Sequence, residues 1–170
     1  MEDTICAIST SLGISAISIV RVTGPDAVKI VDSIFDGNLI DKETHTIHYG
    51  HIKYNNEVID EVLVMLMRGP KTYTTEDTVE INCHGGKSTT EKVLEILLSR
   101  GCRLAEPGEF TKKAFLNGRI NLHEAESVND LIVAKTDAAR TLAINNVDGI
   151  LTKKIRNIRE KIVKILANIE

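Results

Sequence analysis

The sequence has few of the residues that mark disulfide-rich, membrane-spanning or base-stacking proteins. Its 170 residues include no tryptophan, three prolines and three cysteines, and aromatic residues make up 4%. The cysteines, Cys6, Cys83 and Cys102, form no CxxC pair, which argues against a disulfide framework and favours reduced thiols. The formal net charge of -3 gives no basic excess, and no apolar run reaches membrane-spanning length. We therefore expect a cytoplasmic protein without a membrane segment.

The composition is that of a globular chain, since 42% of the residues are hydrophobic and 26% are charged. Residues 1–118 alternate β-branched runs with helical patterns, which predicts an α/β domain. The predicted strands are DTICAIST, SAISIVRV, two runs around a turn at Asn55-Asn56, and DTVEINCH. Helices are predicted in GPDAVKIVDSIF, STTEKVLEILLSRG and EFTKKAFLNG. Ser88 and Glu91 fit a capping box, and Gly101 fits the helix stop.

From residue 119 the pattern becomes purely helical, so we place a domain boundary there and assign 119–170 to a second domain. Asn121 and Glu124 fit a second capping box, which predicts one long helix up to Gly149. A further helix follows Gly149. Its apolar residues recur at alternating intervals of four and three, the pattern of a helical-bundle seam: Leu151, Ile155, Ile158, Ile162, Ile165 and Ile169.

This seam should not face water. Full burial of six aliphatic side chains is worth ~9–18 kcal/mol, as much as the whole stability of an ordinary domain. We therefore expect either that the chain is part of a longer one or that a partner completes a helical bundle. The same helix carries six basic residues. They suggest either a nucleic-acid-binding face or, more simply, the solvated side of a bundle helix.

Two motifs that suggest a ligand site are better explained without one. Gly86-Lys87-Ser88 resembles the end of a phosphate-binding loop, but the position of the first glycine is taken by Ile81. A β-branched residue does not suit that turn, so we predict a strand-turn-helix joint. The spaced histidines of HTIHYGH would lie on both faces of a strand, and no carboxylate or thiol in that run completes a metal site.

Cys83 and His84 are adjacent on a predicted strand and therefore point to opposite faces. They cannot readily share a proton, so we predict a packed core cysteine rather than a nucleophile. No GxSxG motif is present, and we predict no catalytic residue and no metal ligand.

Three charged residues are candidates for a ligand site, and each also has a plainer structural interpretation. Arg21 shares one face of an apolar strand with Ile17 and Ile19, so it needs either an internal salt bridge or an anionic ligand. Glu80 alternates with Val79 and Ile81, and from the pattern alone it is a solvent-facing residue. Arg119 follows a glycine at the domain joint, where a surface charge is the plain interpretation.

Three stretches, GPKTYTTEDTVEINCHGG, GCRLAEPGEFTKKAFLNGRINLHEAESVNDLIVAKTDAA and SIVRVTG, together resemble the start of the MnmE (TrmE) family of tRNA-modification GTPases. The resemblance begins at DTICAIST and covers nearly the whole chain. It implies that residues 1–118 form an α/β domain similar to the folate-binding domain of the glycine-cleavage T protein, which dimerises and binds 5-formyl-tetrahydrofolate. It also implies that 119–170 begin a helical domain.

In this family a GTPase domain that uses magnesium and potassium is inserted within the helical domain. Together with MnmG, the full protein modifies the wobble uridine of tRNA. The resemblance thus implies that the protein forms a homodimer and has MnmG and tRNA as partners. Since the chain stops before the GTPase insertion, we expect it not to hydrolyse GTP.

The resemblance places the folate-contacting residues of the family on Arg21, Glu80 and Arg119. Two departures affect the loops around the ligand. The usual SYTGED is here TYTTED, with Thr75 in place of glycine, and the glycine-rich opening loop keeps only Gly13. These departures favour the alternative of a structural dimerisation module without folate binding. A module that contacts nucleic acid through the basic last helix is a further alternative.

Overall fold

A computed structural model describes residues 3–168 and divides the chain into two compact units, Met1–Asn117 and Gly118–Glu170. In the first unit, the described residues form a mixed α/β domain, as the sequence predicted. Its elements are β1 (Ile5–Ile8), β2 (Ile17–Thr23), α1 (Ala27–Asp32), β3 (Thr46–Tyr54), β4 (Glu57–Met67), β5 (Thr78–His84), α2 (Lys87–Ser99), β6 (Arg103–Leu104) and α3 (Glu109–Leu116).

The six strands form one sheet in the order β3-β4-β5-β2-β1-β6. Neighbouring strands are antiparallel, except for the parallel pair β1 and β6. The predicted turn joins β3 to β4. Asn55 and Asn56 have φ of 50° and 65°, the left-handed conformation that a two-residue hairpin turn requires and that asparagine tolerates.

The two faces of the sheet are covered to different extents. On one face, Val20 of β2 lies opposite Ile81 of β5, which lies opposite Val64 of β4, and all three are fully buried. Helices α1 and α2 pack against the strands and complete this core. Because side chains alternate along a strand, Arg21 and Glu80 belong to the other face.

The N-terminus of α2 differs from the prediction. The helix begins at Lys87 after an N-cap at Gly86, and no side chain caps it, so the predicted Ser88–Glu91 capping box is wrong. Ser88 already lies inside the first turn and cannot act as the cap. Just before the helix, Gly85 packs so closely on Ser15 that a Cβ would collide with the Ser15 backbone. Gly101 does follow the helix with φ of +103°, as predicted.

Described residues of the second unit form three helices, α4 (Leu122–Val133), α5 (Asp137–Val147) and α6 (Ile150–Ala167). The Asn121–Glu124 capping box is confirmed, but the single long helix predicted after it is wrong. The backbone leaves the helical region at Ala134, with ψ of 122°, and Thr136 caps the new helix by accepting a hydrogen bond from the backbone N–H of Ala139. The signal missed in the sequence is thus Thr136, an N-cap residue.

The predicted seam of α6 is exposed. Its residues from Leu151 to Ile165 have exposed fractions between 44% and 60%, and no residue of α6 is buried. Ile169, the last predicted seam residue, lies outside the described residues. Among residues 3–168, no helix combines the length and apolar character that crossing a bilayer requires.

Thr75 is held in a backbone conformation that suits glycine. Its φ is 64°, and the loop folds back so tightly that a Cβ on Gly69 would lie 2.5 Å from the Thr75 carbonyl oxygen. A β-branched residue in the left-handed region costs about 1–2 kcal/mol. The loop therefore keeps a glycine-like path although it carries a threonine.

We expect Thr75→Gly to raise the free energy of unfolding by about 0.5–1 kcal/mol, because the relief of strain exceeds the greater chain entropy of glycine. Urea unfolding followed by tyrosine fluorescence measures this, since all three tyrosines lie in the first unit. Gly108→Ala is the matched control, because φ is +75° and space is free around that position. It should destabilise the unit. Equal stability of Thr75→Gly and the parent would show that Thr75 is unstrained.

Candidate functional site

Arg21 and Glu80 meet on the less covered face of the sheet. They lie directly opposite each other on the neighbouring strands β2 and β5. The Arg21 Nε donates to Glu80 Oε1 at 2.6 Å, and the side chains are 31% and 14% exposed. The internal salt bridge considered for Arg21 therefore exists, and Glu80 is its partner rather than a plain solvent-facing residue.

The salt bridge leaves most of the guanidinium available. Of its five N–H donors, the described residues accept only the one on Nε, and neither Nη atom donates to a described protein atom. Glu80 uses one of its two oxygens in this pair. The site thus presents an accessible two-nitrogen edge beside an accessible carboxylate oxygen, which suits a ligand with both anionic and N–H groups.

The ring of Phe110 covers Arg21. Its centroid lies 5.5 Å from the Arg21 Cζ, within the range of a cation–π interaction. Phe110 is half-buried in the first turn of α3, next to Glu109. This helix therefore closes one end of the sheet face that carries the ion pair.

Buried charges fix the start of α3. Glu109 is 2% exposed and accepts two hydrogen bonds from Arg103 of β6, at 2.5 and 3.1 Å, and one from the backbone N–H of Glu106. These bonds hold the pKa of Glu109 below its ordinary value, chiefly through the Arg103 side chain. Arg103 also pairs with Asp3 at 2.6 Å and lowers the pKa of that carboxyl in the same way.

A second buried charge fixes the end of α3. Lys113 is 1% exposed, and its ammonium donates to both oxygens of Glu76, at 2.8 and 3.1 Å, and to the Asp3 carbonyl. One turn later, Asn117 donates to the Thr74 carbonyl at 2.7 Å. The loop that contains Thr75 is therefore tied to α3 on both sides of that residue.

Three threonine hydroxyls connect this loop to the sheet. Thr23, Thr74 and Thr78 are fully or nearly buried, and their Oγ1 atoms lie 2.6 to 3.4 Å from one another. Thr23 and Thr78 lie opposite each other and are the neighbours of Arg21 and Glu80 on the same face of β2 and β5. Hydrogen bonds thus connect the loop to α3 and to the two strands that carry the ion pair.

Arg119 is exposed and belongs to the second unit. The structure brings Arg21 and Glu80 together, whereas the role of Arg119 stays a prediction.

The histidines of HTIHYGH have separate surroundings. His45 precedes β3 with φ of 60°, His48 contacts Thr46, and His51 pairs with Asp36. No cluster of three or more metal-ligating side chains occurs among residues 3–168. Ile81, at the position that the first glycine of a phosphate-binding loop would take, is a fully buried residue of β5.

The separation of Cys83 from His84 is confirmed. Cys83 is buried, and burial raises the pKa of its thiol to about 12, so it is an inert core thiol. His84 is exposed and pairs with Asp60 at 2.7 Å, which raises the pKa of its imidazole.

Comparison with known proteins agrees with this domain division. The family model described as "GTP-binding protein TrmE N-terminus" matches residues 4–119, and the model "MnmE helical domain" matches residues 122–170. The chain belongs to the MnmE (TrmE) family. The resemblance noted in the sequence is therefore confirmed.

Relatives from several bacteria are named "tRNA modification GTPase MnmE". The chain is 57% identical to the protein from Lactococcus lactis subsp. cremoris MG1363 over 169 residues, and 57% identical to that from Streptococcus thermophilus CNRZ 1066. Identity to the Bacillus mycoides KBAB4 protein is 58% over 171 residues. Each match covers 99% of this chain and 37% of the MnmE relative.

The sequence patterns do not identify the residues that hold this candidate site together. Glu109 and Lys113 occur four residues apart on a short helix, which ordinarily indicates a solvent-exposed pair. Here each has a separate partner outside the helix. Glu109 pairs with Arg103 of β6 and Lys113 pairs with Glu76 of a distant loop, and neither pair follows a helical spacing. Phe110 was likewise assigned only to a helix.

We expect Glu109→Gln to lower the free energy of unfolding at pH 7 by about 1–3 kcal/mol, because it leaves a half-exposed arginine without its buried partner. Because the pKa of Glu109 is lowered in the folded state, its ionised carboxylate stabilises the fold above its ordinary pKa. This contribution to the free energy of unfolding is lost as the pH falls through the folded-state pKa. The variant should therefore lose less stability than the parent on acidification below that ordinary pKa.

Urea unfolding at a series of pH values from neutral to acid measures this. Glu95→Gln is the matched control, since Glu95 forms an exposed pair with Lys92 and should change little. A pH profile of Glu109→Gln parallel to that of the parent would contradict the assignment.

Proposed function

We propose that the first unit binds a reduced folate of the 5-formyl-tetrahydrofolate type. The observation that carries this proposal is the Arg21–Glu80 pair, half-buried on one face of the sheet with both Nη atoms of the arginine unused by described residues. Membership of the MnmE family supports it, because the resemblance assigns folate contacts to Arg21 and Glu80, which lie directly opposite each other in the sheet.

The chemistry of the pair suits a folate. A pterin edge offers neighbouring N–H donors, which a carboxylate can accept, and the glutamate tail of the cofactor is anionic and pairs with a guanidinium. We propose Arg119 as a third ligand, and we propose that the unit shares its fold with the folate-binding domain of the glycine-cleavage T protein. Thr75 does not argue against the site, since its backbone keeps the path of a glycine.

Titration with 5-formyl-tetrahydrofolate, followed by isothermal calorimetry, tests the proposal. Glu80→Gln and Arg21→Met should each raise the Kd about ten- to a hundredfold, since each removes a charge-assisted hydrogen bond. Arg119→Gln should weaken binding in the same direction. Glu61→Gln is the control, because Glu61 lies on the same sheet face but pairs with Tyr49.

No binding to the parent chain would overturn the proposal and leave a structural dimerisation module as the better assignment. A normal Kd for Glu80→Gln would remove Glu80 from the site. Binding of tRNA that weakens with salt and depends on the basic residues of α6 would instead favour the nucleic-acid alternative.

We also propose that the first unit forms a homodimer. Its less covered sheet face exposes Ile17, Ile47, Tyr49 and Leu63, with exposed fractions between 46% and 67%. Several of these residues line an open groove of about 310 Å³. An apolar area on a single face is what a symmetric interface between two copies requires.

Leu63→Lys and Ile47→Lys should shift the chain from dimer to monomer, because each places a charge in the proposed interface. Sedimentation equilibrium gives the mass, to be compared with 18.7 kDa for one copy. Ile40→Lys is the control, since Ile40 is 52% exposed but lies in the segment between α1 and β3. A monomeric parent chain, or an equal loss of dimer in the control, would refute this interface.

For the whole protein, we propose the activity in the name of its relatives, GTP-dependent modification of tRNA, in the cytoplasm and with MnmG as partner. This chain spans about 37% of their length, and we assign GTP hydrolysis with its magnesium and potassium to a domain outside it. The folate would serve as the one-carbon source.

A further inference from the structure

We infer that Phe110 is a positioning residue for the Arg21 guanidinium, an inference that rests on the proposed folate site. Phe110 lies beside Arg21 but is not a ligand in that proposal. Its ring centroid is 5.5 Å from Cζ, and the Glu80 carboxylate holds the Nε at 2.6 Å. Arg21 thus has one contact to each of two fixed groups, which limits the orientations of its Nη edge.

Phe110 itself is held in place by both of its neighbours in the chain. Glu109 is buried against Arg103, and the Thr111 hydroxyl lies 2.9 Å from the Tyr73 hydroxyl. The backbone of the first turn of α3 is therefore anchored on either side of the ring. An arginine has several rotatable bonds, and fixing it before the ligand arrives reduces the entropy cost of binding.

Arg21 would then make three different kinds of contact. Glu80 supplies charge, the aromatic ring supplies a polarised surface, and the ligand takes the unused Nη edge. A leucine at position 110 would keep the apolar contact but lose the negative face of the ring. The effect of that change should therefore be seen in ligand affinity and should depend on the guanidinium.

Four variants test this by calorimetric titration of 5-formyl-tetrahydrofolate. Phe110→Leu should raise the Kd roughly two- to fivefold, the range expected for an exposed to half-buried cation–π contact. Phe110→Tyr should restore the parental Kd, because it keeps the ring. Phe115→Leu, on the same helix and 39% exposed, should have no effect. In an Arg21→Met background, Phe110→Leu should have no further effect.

A trifluorinated phenylalanine introduced at position 110 keeps the shape of the ring and weakens its negative face, so it avoids any failure of Phe110→Leu to fold. It should raise the Kd in the same direction. A parental Kd with the fluorinated ring, or with Phe110→Leu, would overturn the inference and leave the folate proposal intact. A parent chain that binds no folate would overturn both.

Discussion

The register between β2 and β5 is the constraint on which the site depends. It places Arg21 opposite Glu80. In the adjacent pair of the two antiparallel strands, it places Val22 opposite Val79 in the core. A slip of one residue would turn the guanidinium into the apolar face, where no carboxylate is available, and would expose the core valines. The apolar packing that fixes this register therefore also brings the two charges together, although no contact between the charges is needed to form the sheet.

Charges that are expensive to bury hold the helix above this pair. Glu109 and Lys113 lie almost fully inside the unit, and each keeps an ionic partner at hydrogen-bonding distance. Such pairs contribute little net stability compared with apolar residues of the same volume, but loss of one partner is costly. Their effect is on the position of the helix rather than on net stability. They allow α3 to dock in one position, and that position sets the ring of Phe110 over Arg21.

The strands and the hairpin turn of the first unit could be predicted from the sequence because they depend on local patterns, such as the alternation in DTVEINCH and the Asn55-Asn56 turn. Helix boundaries that depend on residues distant in the sequence could not be predicted in this way. The residue before the N-cap of α2, Gly85, packs against Ser15, which lies seventy residues earlier in the chain. Within the site, resemblance identified Arg21 and Glu80, but only the sheet register shows that they touch. Phe110 and Lys113 carry no sequence signal of their role, because their partners Arg21 and Glu76 lie far away in the chain, and the Glu109–Arg103 pair depends on how β6 and α3 pack rather than on a helical spacing.

The position of the ion pair along β2 explains why it can be both closely paired and accessible. On this face, Thr23 is fully buried beneath the loop and α3, Arg21 is 31% exposed, and Ile17 is 56% exposed. At the buried end, an unused guanidinium edge would carry a heavy desolvation cost. At the exposed end, water would screen the pair, since two charges attract each other about four times more weakly in water than near a partly buried surface. Between these limits, a charge can be fixed by protein groups on two sides and still receive a ligand on the third, and Arg21 occupies that intermediate position.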